Sequence, residues 1–381
     1  MKITVAPNSL KESLSAEKAC QAIARGLKAA DPRVDLELVP MADGGEGTLD
    51  ALLAATGGRR ERALASDPLG RPIWAVFGLC GDARQAVVEM AAASGLALLK
   101  PSERNPLRTS TRGTGQLIRR ALDCGVQQVL VGIGGSATVD CGMGMAAELG
   151  VGFYDADGRP IQDCCGGRLQ DIRQIDPSGL DARLKRTRVI VACDVQNPLL
   201  GPEGAARVYG PQKGADPSMV ECLERGVENF ARVVKADLAV DVAQVPGGGA
   251  AGGLGAALRA FLNAELESGV QTVAQAVGLR ECMRGSSLVI TAEGRADGQS
   301  AFGKVPAGVA ALARPQGIPV VVLAGSLGPG YEQLYGCGVA AVFGICDGPM
   351  PLETALQDAE RLLAQAAGSV LRLWQTAGKE K

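Results

Sequence analysis

Apolar positions along the chain follow two rhythms, and the switches between them mark the elements. Residues 2–6 form a short β-branched run that reads as a strand, and Ala19, Cys20, Ile23 and Leu27 recur at helical spacing behind Ser15, a helix-capping residue type. Asp31 followed by Pro32 ends that helix. A second strand is predicted over residues 34–39, then a turn-rich loop at 41–47 and a helix from Thr48 that stops at Gly57 and Gly58. The last hundred residues repeat the rhythm. Strands are predicted at 288–291, 318–323 and 339–343, with a helix whose first turn holds Pro306 and a final helix over 352–374.

Parallel βαβ pieces at both ends of a chain merge most simply into one sheet, because an interrupted sheet would expose extra edges. The fold class is therefore α/β: a discontinuous Rossmann-like parallel-sheet domain from residues 1–58 plus 286–381, and an inserted α/β domain over 59–285. The insert carries predicted strands at 73–79, 86–90, 129–133 and 189–192 and helices at 114–124 and 143–149. It also holds a polar stretch at 155–179 and a weak strand at 237–245 before a glycine run and a helix over 256–266.

Composition narrows the chemistry. The 381 residues include 39 Lys and Arg against 41 Asp and Glu, a net charge of −2 that leaves no basic footprint for nucleic acid. Histidine is absent, which excludes Ser-His-Asp and Cys-His catalysis and His-containing zinc sites. Eleven scattered cysteines without a C-x-x-C suit a reducing compartment, and neither a secretory leader nor a membrane-length apolar run is seen, so a cytoplasmic location is expected. Glycine, at 52 residues, is about twice its usual ~7% share.

Two glycine-rich segments stand before helices: residues 132–138, with Gly134, Gly135 and Ser136, and residues 246–255, with Gly247, Gly248, Gly249, Gly252 and Gly253. Successive amides without Cβ atoms can turn inward on a phosphate, and tight turns or close packing explain the same composition. Gly247, Gly249 and Gly252 satisfy G-x-G-x-x-G, a pattern that admits a nicotinamide-dinucleotide oxidoreductase as a different class. Gly298, Gly303 and Lys304 nearly complete a P-loop, but Val305 stands where a hydroxyl is needed. Acids follow predicted strands at Asp43, Glu46, Asp194, Glu293 and Asp297, where open α/β sheets gather ligands, and Lys11, Lys213, Arg295 and Lys304 lie in turn-rich contexts.

Taken together, residues 6–14, 42–48, 134–138, Cys193 and Asp194 with 197–199, 210–214, 247–255 and Gly303 with Lys304 resemble the type I bacterial glycerate kinase family in order along the whole chain. The resemblance implies two α/β domains with the active site in the cleft between them, ATP and Mg2+ as cofactors, and phosphorylation of D-glycerate, most often at the 2-hydroxyl. Asn8, Val139, Cys141, Ala292 and Phe302 depart from the usual pattern, and Phe302 removes any histidine role at its position.

Phosphoryl transfer to an alcohol needs alignment and charge neutralisation more than covalent help. Asp194 is therefore expected to ready the hydroxyl, with Lys11 and Lys304 as its catalytic cations. The glycines above and Ser136 are expected to hold nucleotide phosphates, Lys213, Asn197 and Arg295 the substrate, and Asp43, Glu46, Glu293 or Asp297 the metal. Transfer to the 3-hydroxyl and a two-lobed small-acid binding protein remain as alternatives, and the oligomeric state is not fixed.

Overall fold

The computed structural model describes residues 1–377. Its contacts divide the chain into two compact units. The first comprises Met1–Asp43, Asp50–Ala55 and everything described from Ser268 onward; the second comprises Gly44–Leu49 and Thr56–Glu267.

Numbered along the chain, the first unit contains β1 (Lys2–Val5), β2 (Asp35–Leu38), β11 (Leu288–Ala296), β12 (Val320–Leu327) and β13 (Val339–Gly344). They form one sheet in the order β13-β12-β11-β1-β2, every neighbouring pair parallel. Both faces are covered, as a parallel sheet requires. Leu288, Ile290, Val321 and Leu323 pack with Ile23 and Leu27 of helix Ala16–Ala30 and with Leu362 and Leu363 of helix Ala359–Ala377. Val289, Val320 and Val322 point the other way, onto Val305 and Val309 of helix Val305–Ala313. The Ser15 side chain caps the first helix by accepting from the Lys18 amide, and Asp31 closes it.

Three expectations change here. Residues 269–282, read as part of the insert, form helices Gly269–Ala276 and Leu279–Cys282, whose Val270, Val273 and Leu279 enter the core of the first unit. The final helix is two helices, Leu352–Gln357 and Ala359–Ala377, broken at Asp358. Most relevant to function, β11 runs on through Ala296, so Glu293 and Arg295 lie on a strand and not on the loop after it. The ladder to β12 continues to the Ala296–Leu327 pair because Gly325 lets the strands approach: a Cβ there would sit 2.5 Å from the Gly294 carbonyl oxygen.

The second unit holds β3 (Arg59–Ser66), β4 (Pro72–Leu79), β5 (Gln85–Glu89), β6 (Gln128–Gly132), β7 (Gly152–Tyr154), β8 (Gln174–Asp176), β9 (Arg188–Ala192) and β10 (Glu265–Glu267). A six-stranded sheet runs β10-β9-β6-β5-β4-β3, with β3, β4 and β5 antiparallel and the rest parallel, while β7 and β8 pair separately. Strand β3 escapes a sequence reading because its first four residues are charged and it lies at a sheet edge. No strand precedes the glycine run at 246–255. Helix Pro217–Leu238 ends nearby instead, burying Leu223, Val227, Phe230 and Val234 at helical spacing. All eleven cysteines are free, and among the described residues no helix is long and apolar enough to cross a membrane.

Candidate functional site

In the first unit, the carboxyl ends of β11 and β12 and the loop after β1 open onto a cavity of about 560 Å³. It brings together Lys11, Asp43, Glu293, Arg295, Asp297 and Lys304, six of the residues singled out from sequence. Burial is what makes Glu293 unusual. It is 5% exposed, and its Oε1 has no hydrogen-bond partner. Burial pushes its carboxyl up to about 7, against the opposing effects of a Ser300 hydrogen bond and the Lys304 ammonium. Lys304 immediately precedes helix Val305–Ala313, and Pro306 sits in that helix's first turn. Asp297 caps the short turn Gly298–Ala301 by accepting from the Gln299 amide at 3.0 Å, and it pairs with the exposed Arg295 at 3.4 Å. That turn is a 3-10 helix, so the near P-loop at 298–304 is not a phosphate loop by geometry.

In the second unit, β6 and β9 lie side by side with Gly132 beside Ala192, and their carboxyl ends carry the 134–136 segment and the half-buried Asp194. Gly134 and Gly135 are exposed. Lys213 is not: it is 1% exposed, donating from Nζ to the Ser136 hydroxyl and the Thr138 carbonyl, each at 2.7 Å. Its ammonium lies 5.9 Å from the Tyr209 ring centre. Burial draws the amine down to about 7, partly offset by the Asp140 charge. A buried amine so engaged shapes the 134–138 segment; it does not face substrate as expected.

Asn197 is likewise occupied, accepting from the Tyr209 hydroxyl at 2.7 Å and donating to the Glu203 carbonyl at 2.9 Å. The substrate role expected for it gives way to bracing this loop. Glu46 is exposed, belongs to the second unit and is not among the residues that line the first unit's cavity.

The glycine run at 246–255 also departs from expectation. Gly247, Gly248, Gly249, Gly252 and Gly253 are buried, and the amides of Gly248, Gly249 and Gly253 already donate to Val245, Asn197 and Gly249 carbonyls. Gly252 shows why the residue type is needed. Its φ is +68°, and a Cβ would lie 2.0 Å from the Thr138 carbonyl oxygen. These glycines let helix Ala250–Leu262 pack against backbone elsewhere in the same unit, which accounts for them without a phosphate, and the missing strand removes the dinucleotide reading.

Sequence reasoning missed Asp140, which is fully buried and accepts from the Thr111 amide and hydroxyl at 2.8 Å each and from the Gly142 and Gly144 amides. Its signal was an acid set within the apolar stretch 137–146. It also missed Ser326, Cys346, Leu352 and Leu356, which line the first unit's cavity from β12 and the two segments that follow it.

The sequence profile of the Glycerate kinase family matches residues 3–375. The chain is 47% identical to the glycerate kinase of Halalkalibacterium halodurans and 47% identical to the glycerate 2-kinase of Escherichia coli, covering 97% of both partners in each case. A crystal structure from Salmonella typhimurium, described as a glycerate kinase 2, superposes with a TM-score of 0.88 at 46% identity, covering 100% of both chains. The chain belongs to the glycerate kinase family.

Proposed function

We propose that this protein transfers the terminal phosphoryl group of ATP to D-glycerate, at the 2-hydroxyl, giving 2-phosphoglycerate and ADP. Family membership over nearly the whole chain supports the kinase activity and the substrate. The observation that carries the reading at the level of residues is the first unit's cavity, where three cations and four acids, Glu12 among them, line one space at the carboxyl ends of a parallel sheet. Lys11, Lys304 and Arg295 meet anionic oxygens of the reactants. Their ammonium and guanidinium groups are fixed before reaction, so they stabilise charge that spreads during transfer without a reorganisation cost.

The acids fit magnesium. Among the described residues no three His, Cys, Asp or Glu side chains form a ready metal cage. Magnesium in kinases is typically held by one or two carboxylates, with nucleotide oxygens and water completing the shell. Asp43, Glu293 and Asp297 line the same cavity, and the unpartnered Glu293 oxygen supplies a hard donor. When bound there, the ion offsets the negative charge of the phosphates.

In the second unit, Asp194 orients or deprotonates the acceptor hydroxyl, and the exposed amides of Gly134 and Gly135 meet an anionic group. No histidine is needed. Phosphorus NMR of the product formed from D-glycerate and ATP tests the reaction and the carbon that receives the group; signal at the 3-position, or none, rejects it. Asp194→Asn is expected to lower kcat by about 10²–10⁴-fold with unchanged thermal stability. A near-normal kcat removes Asp194 from that role.

A further inference from the structure

The cavity of the first unit is larger than a three-carbon acid requires, and its lining is part charged and part apolar. Its charged lining includes Lys11 from the loop after β1, Glu293 on β11 and Lys304 at the start of helix Val305–Ala313. Its apolar lining includes Leu352 and Leu356 from helix Leu352–Gln357 and the buried Leu10 and Ile345. Leu352 is 73% exposed, a large apolar side chain left at the cavity mouth with water as its neighbour. About 560 Å³ falls within the ~300–1,000 Å³ typical of sites for ligands with a ring system.

Glycerate has no apolar surface to set against those leucines. Both reactants carry negative charge, so the cations alone do not distinguish them. A lining that joins cations to leucine side chains does, because only a nucleotide has a phosphate tail at one end and a flat, weakly polar base at the other. The Glu293 oxygen, buried and without a partner, marks the cavity as built for a ligand that brings donors or a cation with it.

Resting on the kinase reading above, we infer that this cavity is the nucleoside triphosphate site, with the phosphates over Lys11 and Lys304 and the base against Leu352 and Leu356. The nucleotide is thereby assigned to the first unit, and the glycine run of the second unit is left to packing.

The binding titrations use the full chain without glycerate, so that nucleotide affinity is read apart from the reaction, and the KM for glycerate is measured separately in the kinase assay. N-methylanthraniloyl-ADP with magnesium is titrated by fluorescence, and inorganic tripolyphosphate by calorimetry. Leu352→Asp changes a residue that is largely in solvent, and thermal melts verify its fold. It is expected to weaken fluorescent ADP about tenfold while leaving tripolyphosphate affinity and the KM for glycerate unchanged. Leu352→Phe, which enlarges the apolar lining, is expected to tighten fluorescent ADP. Lys11→Ala is expected to weaken both probes. Fluorescent ADP affinity indifferent to both Leu352 substitutions overturns the assignment, as does a rise confined to the KM for glycerate. Leu352-dependent binding of fluorescent ADP by a protein that fails to phosphorylate glycerate overturns the proposed reaction and leaves the nucleotide site standing.

Discussion

The first unit's cavity rim carries only a near miss to a P-loop and the second unit's glycine run reads from sequence as a phosphate cradle, yet they differ the other way in what they leave unsatisfied. In the glycine run, amides donate to carbonyls and the missing Cβ atoms make room for backbone. In the cavity, a buried carboxyl oxygen lacks a partner and charged side chains face open space. Unspent hydrogen-bonding capacity is the mark of a ligand site, whereas spent capacity is the mark of a scaffold.

The comparison breaks most sharply at Gly252. Alanine there meets the Thr138 carbonyl and a left-handed backbone together, so Gly252→Ala is expected to lose about 3 kcal/mol or more in urea denaturation, or to yield no soluble protein. A stable Gly252→Ala protein with weakened nucleotide binding would return the run to phosphate binding. Lys304→Ala should do the reverse, unfolding like the parent while kcat/KM falls on the order of 10²-fold.

A subtler contrast appears in the pH dependence of stability of the metal-free, nucleotide-free protein. Glu293 is raised from 4.5 to about 7, so between those values the folded form keeps a proton that the unfolded chain has released. Its contribution to stability is therefore complete at low pH and declines as pH rises across that window. Lys213 is lowered from 10.5 to about 7, so above pH 7 the unfolded chain holds the extra proton and stability recovers toward pH 10.5. Each group can add a slope of at most ~1.4 kcal/mol per pH unit. Urea denaturation across pH should show Glu293→Gln flattening the first limb and Lys213→Met the second; slopes that ignore these substitutions would place both groups in water.

The smallest effect is a control. Gly158 has a φ of +71° but nothing within 4 Å of where a Cβ would go, so Gly158→Ala is expected to cost only about 1 kcal/mol. A loss as large as that at Gly252 would show that backbone strain, and not contact with Thr138, dominates both positions.

How far the site could be read in advance follows from the range of the forces involved. Lys11, Asp43, Glu293, Arg295, Asp297 and Lys304 were legible because charged residues in glycine- or turn-rich contexts are a local signal, and the cavity gathers all six. Leu352 and Leu356 were not, since a leucine on an amphipathic helix reads as core wherever it points. Lys213 and Asn197 were assigned to substrate because sequence shows residue type and not burial. Asp140 passed unnoticed because four donors from two separate segments make its burial tolerable.

The sequence by itself determined the alternation of strands and helices, the absence of histidine chemistry and the order of family motifs, since periodicity, composition and short motifs are properties of neighbouring residues. Only the tertiary structure decided that β11 continues through Arg295, that helix Gly269–Ala276 joins the first unit, and which glycines are packed and which are open. Those outcomes depend on which distant carbonyl or side chain occupies the adjoining space, and that is settled by packing across hundreds of residues.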